Sequence, residues 1–114
     1  MSMQDDLEEI ERVIEAGERL AERNIPPDPG AWENPIKDLG TKLLFTQWRG
    51  TALRFVQLQT GANSEYARDF SAHCGAEGSY SDMVAGLAQL QRVRQGILDG
   101  LFERKGLGLF LWAE

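Results

Sequence analysis

Residues 37–60 carry the helical periodicity that most constrains how this chain folds. Apolar side chains recur there every three or four positions, which is the spacing of one face of an α-helix. The segment ends at Gly61, a residue type suited to the left-handed backbone that closes many helices. The predicted buried stripe consists of Leu44, Trp48, Ala52, Phe55 and Gln59, widened by Leu43 and Val56.

Three further segments show the same period. Residues 5–24 form an amphipathic pattern with two aspartates at its start, where carboxylates oppose the positive end of the helix dipole. A short helix that reaches about His73 is predicted, with Asn63-Ser64 offering its N-cap. A long helix is predicted over 82–104, with Ser79 or Ser81 as its N-cap. The sequence therefore predicts an all-α, four-helix bundle-like domain with three long helices and one short helix.

The connection between the first two long helices is rich in proline. Residues 25–35 contain three prolines within four positions, and proline removes amide donors and favours extended backbone before it. We expect a non-helical loop whose Trp32 folds back onto the core. With 114 residues, the chain suits one hydrophobic core, so 1–114 is predicted to be a single helical domain.

Charge is distributed unevenly along the chain. The net charge is −6, and residues 5–23 account for most of it, with eight acidic residues against three arginines. Binding of nucleic acid by the whole protein is not expected, because phosphate contacts require a concentrated positive surface. An acidic first helix is typical of a solvated face, and it also suits a basic partner.

Location and cofactors follow from absences in the sequence. The first residues are acidic, unlike a secretory or transit peptide, and no apolar run reaches the roughly 20 residues that cross a bilayer. We therefore expect a cytoplasmic protein with no membrane partner. Cys74 is the only cysteine, and no phosphate-binding glycine loop of recognised pattern is present. No cofactor is predicted.

Residues 69–74 contain the few side chains suited to metal or thiol chemistry. Asp69 lies four residues before His73, the only histidine, so the two share a helix face. Two ligands do not make a metal site, and no metal is predicted. Cys74 is adjacent to His73, but neighbouring residues on a helix point about 100° apart, so a structural cysteine is expected.

The C-terminal residues 106–114 are apolar and lack a clear pattern. Three interpretations remain open: they pack on the bundle, pair in an oligomer, or form a junction with a longer protein, and we favour the first two. Aromatic residues outside the core stripes are expected to contact a protein partner, and the alternative is that they are simply buried. These residues are Trp32, Phe45, Phe110 and Trp112.

The segment from Arg68 to His73 resembles the Arg-x4-6-His motif of the HEPN superfamily. Members of that superfamily are helical bundles, and many are metal-independent ribonucleases. The resemblance implies that Arg68 stabilises phosphate charge, that His73 acts as general acid or base, and that Asp69 orients them. It also implies a homodimer, with two copies of the motif facing each other, and RNA as the substrate. The structural alternative is a solvated Arg68 and a His73 stabilised near a helix C-terminus.

A second resemblance covers residues 10–104. The order of its landmarks is similar to the helical N-terminal domains of bacterial defence proteins, some of which carry TIR-type effector domains. This resemblance implies a regulatory or oligomerising module that couples a signal to an effector. The landmarks are Ile10–Gly17, the Pro-rich loop, the helix around Trp48, Gly61–Tyr66 with Phe70, Gly86–Leu90 and Gly100–Phe102.

Three functional hypotheses follow. The first is a non-catalytic helical module, associated with bacterial defence, that self-associates or docks a protein partner. The second is a HEPN-like ribonuclease acting as a homodimer. The third is a small immunity or antitoxin protein whose acidic first helix covers a basic surface.

Overall fold

Residues 3–102 are described by the structure, a computed structural model, and none of them forms a strand. The prediction of an all-α fold with three long helices and one short helix is confirmed. None of the helices in this range combines the length and apolar composition that a bilayer-spanning segment requires. In chain order the elements are α1 (Met3–Glu22), a 3-10 turn (Pro29–Ala31), α2 (Leu39–Thr60), α3 (Glu65–His73) and α4 (Tyr80–Leu98).

Polar side chains define where the last three helices begin. The carboxylate of Asp38 accepts a hydrogen bond from the Thr41 amide at 2.9 Å, and the Ser64 hydroxyl accepts one from the third residue of α3. Ser79 and Asp82 form a reciprocal capping box at the start of α4. Such caps satisfy amides that have no partner inside the helix. Of the two predicted caps for α4, the structure uses Ser79.

The four helices surround a core in which Trp48 joins α1 to α2. Its indole Nε1 donates a hydrogen bond to the Val13 carbonyl at 2.8 Å, and its ring lies over Gly17. A Cβ at Gly17 would lie 2.6 Å from Cε2 of Trp48, so only glycine allows this approach. The largest fully buried side chains are Phe45, Phe70, Ile10, Met83, Leu90, Val56, Val93 and Cys74.

The direction of the helices follows from contacts at their ends. The Gln59 amide, near the end of α2, donates to the Asp6 carboxylate at 3.3 Å, so α1 and α2 run antiparallel. The turn before α4 meets the start of α2, because the Ile36 amide donates to the Gly78 carbonyl at 2.8 Å. α2 and α4 therefore start at the same end of the bundle.

The Pro-rich loop is anchored by Trp32, as expected in part. The Trp32 carbonyl accepts a hydrogen bond from the Ser81 amide at 2.9 Å, and its ring meets that of Tyr80 edge-on at 5.0 Å. Trp32 nevertheless remains 38% exposed. The loop is thus held against the start of α4 while one aromatic ring stays accessible to solvent.

The predicted buried stripe of α2 was wrong at two positions, Leu43 and Leu44, and the exposed position expected for Phe45 was wrong too. Leu44 is 51% exposed, whereas Phe45 is fully buried and packs against Trp48. The physical reason is Gly78, which has a φ of 81° and leaves room for the Phe45 ring. A Cβ at Gly78 would lie 2.8 Å from that ring. Phe45 is therefore not an exposed partner contact in this chain.

The last helix is shorter than predicted. α4 ends at Leu98 rather than near residue 104, and Gly100 has a φ of 73° that turns the chain back. The Leu101 amide donates to the Gly96 carbonyl at 2.9 Å. Phe102 then becomes buried against Gly96. Helix periodicity alone does not reveal such a reversal.

Candidate functional site

Arg68 and His73 lie on α3 but are not brought together by its geometry. They are five residues apart, which separates them by roughly 140° around the helix and about 7.5 Å along it. The Arg68 guanidinium donates to the Asn63 carbonyl, before the helix begins. Nδ1 of His73 donates to the Asp69 carbonyl at 2.9 Å. Within one chain, Arg68 and His73 thus each form a hydrogen bond with a different backbone carbonyl, and the two side chains do not meet.

Asp69 is engaged by a different arginine from the one that the HEPN resemblance implies. Its carboxylate accepts from Nη1 of Arg92 at 2.8 Å, and that guanidinium also lies 4.5 Å from the centre of the Tyr66 ring. Glu65 lies 3.5 Å from the same group. These contacts join α3 to α4. The ribonuclease hypothesis, which requires two chains, stays a prediction to which the described contacts add no support.

Arg49 is a structural arginine that periodicity did not single out. Its Nε donates to the Cys74 carbonyl and its Nη2 to the Ser71 carbonyl at 3.1 Å. Both acceptors belong to the end of α3, where carbonyls have no partner inside the helix. A cation there also opposes the negative end of the helix dipole. These hydrogen bonds from Arg49 connect α2 to the end of α3.

Cys74 is fully buried, and burial is the main reason that its thiol is a weak acid. Desolvation raises the pKa of Cys74 to about 11, although the nearby Arg49 opposes the shift. The thiolate is the reactive form of cysteine, so this thiol is a poor nucleophile near neutral pH. The structural role expected for Cys74 agrees with this environment.

We expect Cys74 in the folded protein to resist alkylation by iodoacetamide at pH 8. Because its pKa lies well above that pH and its sulfur is buried, labelling should require opening of the fold. Mass spectrometry after timed labelling checks this, with the chain unfolded in denaturant as the control. Equal labelling rates in the folded and unfolded chain would contradict the buried placement.

The described part of the chain contains no cluster of side chains that could bind a metal ion. Among residues 3–102, no group of three or more histidine, cysteine, aspartate or glutamate side chains is placed to hold an ion. The Nδ1–H of His73 donates a hydrogen bond to the Asp69 carbonyl, and the Asp69 carboxylate forms an ion pair with Arg92. The two residues considered as ligands are thus engaged in other contacts.

A groove of about 610 Å³ lies between α1 and α4. Its walls are mainly charged, and one ion pair crosses it, with Glu11 and Arg94 at 2.8 Å. Four carboxylates and two guanidiniums meet there, which makes the groove predominantly acidic. The lining residues are Glu8, Glu11, Arg12, Ile14, Glu15, Glu18, Gln91 and Arg94.

The side of α2 that faces away from the core carries apolar side chains. Leu43 is nine residues before the buried Ala52, which places it on the opposite side of the helix. Leu39, one turn earlier, is 79% exposed and Leu43 is 61% exposed. Gly50 continues the same side, and a Cβ there would meet no atom of residues 3–102 within 4 Å. We call Leu39, Leu43, Gly50 and Arg54 the α2 outer face.

The charge of α2 is opposite to that of the chain. The protein has 18 acidic residues, but none lies between Asp38 and Glu65. α2 contains Lys42, Arg49 and Arg54, and Arg49 is turned inward to the end of α3. The α2 outer face is therefore both apolar and basic, on a protein whose net charge is −6.

The aromatic residues predicted as partner contacts differ in their exposure to solvent. Trp32 is partly exposed, Phe45 is buried, and Phe110 and Trp112 lie outside the described residues, as does the segment 106–114. Sequence reasoning missed the exposed leucines, because a helix that is apolar on both sides has no obvious outer face. The available signal was the apolar excess of residues 39–44 beyond what one buried stripe requires.

Comparisons with protein families, with curated proteins and with solved structures give no match to this chain. Function is therefore inferred from the chemistry and placement of its own residues.

Proposed function

We propose that this chain is a non-catalytic helical interaction module that docks a protein partner on the α2 outer face. The observation that carries the proposal is the exposure of Leu39 and Leu43 on adjacent turns of one helix. Burying a leucine fully is worth about 1.5–3 kcal/mol, so a partner that covers both gains a substantial driving force. Single exposed apolar residues are ordinary, but neighbouring ones favour an interaction site.

The shape of the α2 outer face suits another helix. Leu39 and Leu43 form a ridge, and Gly50 leaves a gap two turns further along. Ridges of one helix pack into grooves of another, and a glycine allows close approach. Glycine costs about 1 kcal/mol relative to alanine inside a helix, and nothing within the described chain requires it at position 50. A docked helix supplies a reason for it.

This docking role is compatible with the resemblance of residues 10–104 to helical modules of bacterial defence proteins. In such a setting the partner is an effector or a sensor, and the module transmits a binding event to it. We propose a cytoplasmic setting, where the unpaired Cys74 thiol is kept reduced.

The test compares three leucines of the same helix. Replacing Leu39 and Leu43 together by serine should remove the partner, whereas Leu58→Ser should not, although Leu58 is 74% exposed. Leu58 lies 15 residues beyond Leu43, about 22 Å further along the helix. The measurement is the size of the tagged full chain by chromatography of extracts from cells that naturally express it.

The wild type and the Leu58→Ser variant are expected to elute in a complex, and the double variant as the single chain. The melting temperature of the purified double variant should remain within a few degrees of that of the wild type, because exposed side chains contribute little to stability. A complex that survives the double substitution would exclude the α2 outer face as its docking site.

The acidic groove between α1 and α4 favours a second candidate function, the covering of a basic protein surface. Its carboxylates remain exposed to solvent, as the antitoxin hypothesis requires. Binding there should weaken steeply as the salt concentration rises to roughly 500 mM, because exposed charges become screened. Glu15→Gln combined with Glu18→Gln should weaken binding at the groove and leave docking on α2 unchanged.

A further inference from the structure

We infer that the partner of the α2 outer face is an amphipathic helix whose apolar stripe is flanked by carboxylates. This inference rests on the docking function proposed above and specifies the chemistry of its partner. It follows from three properties of α2: its length, its apolar ridge, and the sign of its charge.

The apolar ridge sets the size of the partner helix. From Leu39 to Arg54 the α2 outer face spans 16 residues, and the distance along the helix between its ends is about 22 Å. A partner helix of about four turns covers that length. Its apolar residues would recur at helical spacing to meet Leu39 and Leu43, and one would enter the gap at Gly50.

The cations on α2 set the charge of the partner. Arg54 lies one turn beyond Gly50 on the same face, and Lys42 flanks Leu43. Neither has an ion-pair partner among residues 3–102. Covering the face with a neutral or basic helix would bring these cations near an apolar surface without compensation, which is unfavourable. Carboxylates beside the apolar stripe of the partner supply that compensation.

A second copy of this chain fits the same face less well. Two α2 helices facing each other would place Lys42 and Arg54 of one copy near the same cations of the other. α2 has no acidic residue to offer, and the carboxylate at Asp38 is already engaged by Thr41. Like charges at an interface disfavour association.

An anionic lipid surface is also disfavoured. Basic, apolar helices bind such surfaces, but they require several cations around the apolar face. Only Lys42 and Arg54 are available on α2, since Arg49 caps α3. The protein as a whole carries a net charge of −6, which an anionic membrane repels.

The test uses two matched peptides of about 16 residues, each a helix of four turns. Both carry leucines at positions i, i+4, i+7 and i+11; one has glutamates beside them and the other has lysines at the same positions. Fluorescence anisotropy measures the binding of each labelled peptide to the full-length chain. The glutamate peptide should bind at least about tenfold more tightly, because its carboxylates meet Lys42 and Arg54.

Three variants make the result specific. Arg54→Glu should shift the preference towards the lysine peptide, and Leu43→Ser should weaken both peptides about tenfold or more by removing apolar contact. Leu58→Ser, as the matched exposed leucine, should leave both affinities unchanged. Circular dichroism establishes that each variant is folded.

Each other outcome overturns the inference in a distinguishable way. If both peptides bind equally and Leu43→Ser weakens both, the docking face is supported but the requirement for carboxylates on the partner is contradicted. A Leu43-dependent dimer by sedimentation, without peptide binding, would assign the face to a second copy. Leu43-dependent binding to vesicles of phosphatidylserine and phosphatidylcholine would assign it to lipid. Failure of all of these, together with no complex in extracts, would contradict the proposed function itself.

Discussion

Replacing Phe45 by alanine should lower the free energy of unfolding by about 3–5 kcal/mol. Phe45 is fully buried, and its ring packs against Trp48 and fills the space left by Gly78. Removal of the ring leaves a cavity that the surrounding helices cannot fully close. Small domains are stable by only about 5–15 kcal/mol, so the variant should melt roughly 15 °C lower. Thermal and urea unfolding, followed by circular dichroism, measure the effect.

The matched control is Leu43→Ala, two residues earlier on α2. Because Leu43 is exposed, this substitution should change stability by less than about 0.5 kcal/mol. The pair distinguishes the inner and outer sides of the helix on which the docking proposal depends. Similar losses for both variants would mean that α2 is rotated relative to the structure, and that Leu43 is not available to a partner.

A single added methyl group at Gly17 should destabilise the protein by about 2 kcal/mol. Its Cβ would lie 2.6 Å from Cε2 of Trp48, and the indole cannot shift easily because its Nε1 is bonded to the Val13 carbonyl. α1 must then move away from α2. The loss is net of the gain of about 1 kcal/mol that alanine normally brings to a helix. Urea unfolding of Gly17→Ala measures it.

Gly50→Ala is the control with the opposite expected sign. It is the same substitution, also inside a helix, but within the described part of the chain the new Cβ meets no atom within 4 Å. The variant should gain up to about 1 kcal/mol from helix propensity. It should also weaken docking, because the gap in the α2 outer face is filled. A stabilised Gly17→Ala variant would contradict the close contact of α1 with Trp48.

Local sequence patterns predicted the helices well where the features depend only on residues that are close in sequence. α1 has a clear division between apolar and charged sides, and Ile10, Val13 and Ile14 are buried as predicted. The caps before α3 and α4 were also predictable, since Ser64 and Ser79 need only their neighbours in sequence to cap. Such interactions are local, and tertiary packing does not alter them.

The errors concern contacts between residues far apart in sequence. Burial of Phe45 instead of Leu44 depends on Gly78, which lies 33 residues away and belongs to a turn. The early end of α4 depends on Phe102 folding back onto Gly96. Periodicity places residues on a helix face to within about one position, or 100°, and that margin decides which side chain is buried.

The candidate site was the least predictable part of the molecule. Arg68 and His73 attracted attention through their spacing, but local hydrogen bonds to Asn63 and Asp69 occupy them. The α2 outer face was not predicted from the sequence, because exposed leucines resemble core leucines in a sequence. Identifying them required knowing which side of α2 the other helices cover.

Site-specific photo-crosslinking tests the central claim, that a protein partner docks on the α2 outer face, most directly. A benzophenone amino acid placed at Leu43, in cells that naturally express the protein, should yield a protein adduct on irradiation. The same group at Glu15, in the acidic groove, is the matched exposed position and should yield none of that adduct. An adduct at position 15 with none at position 43 would contradict the account and place the partner on α1.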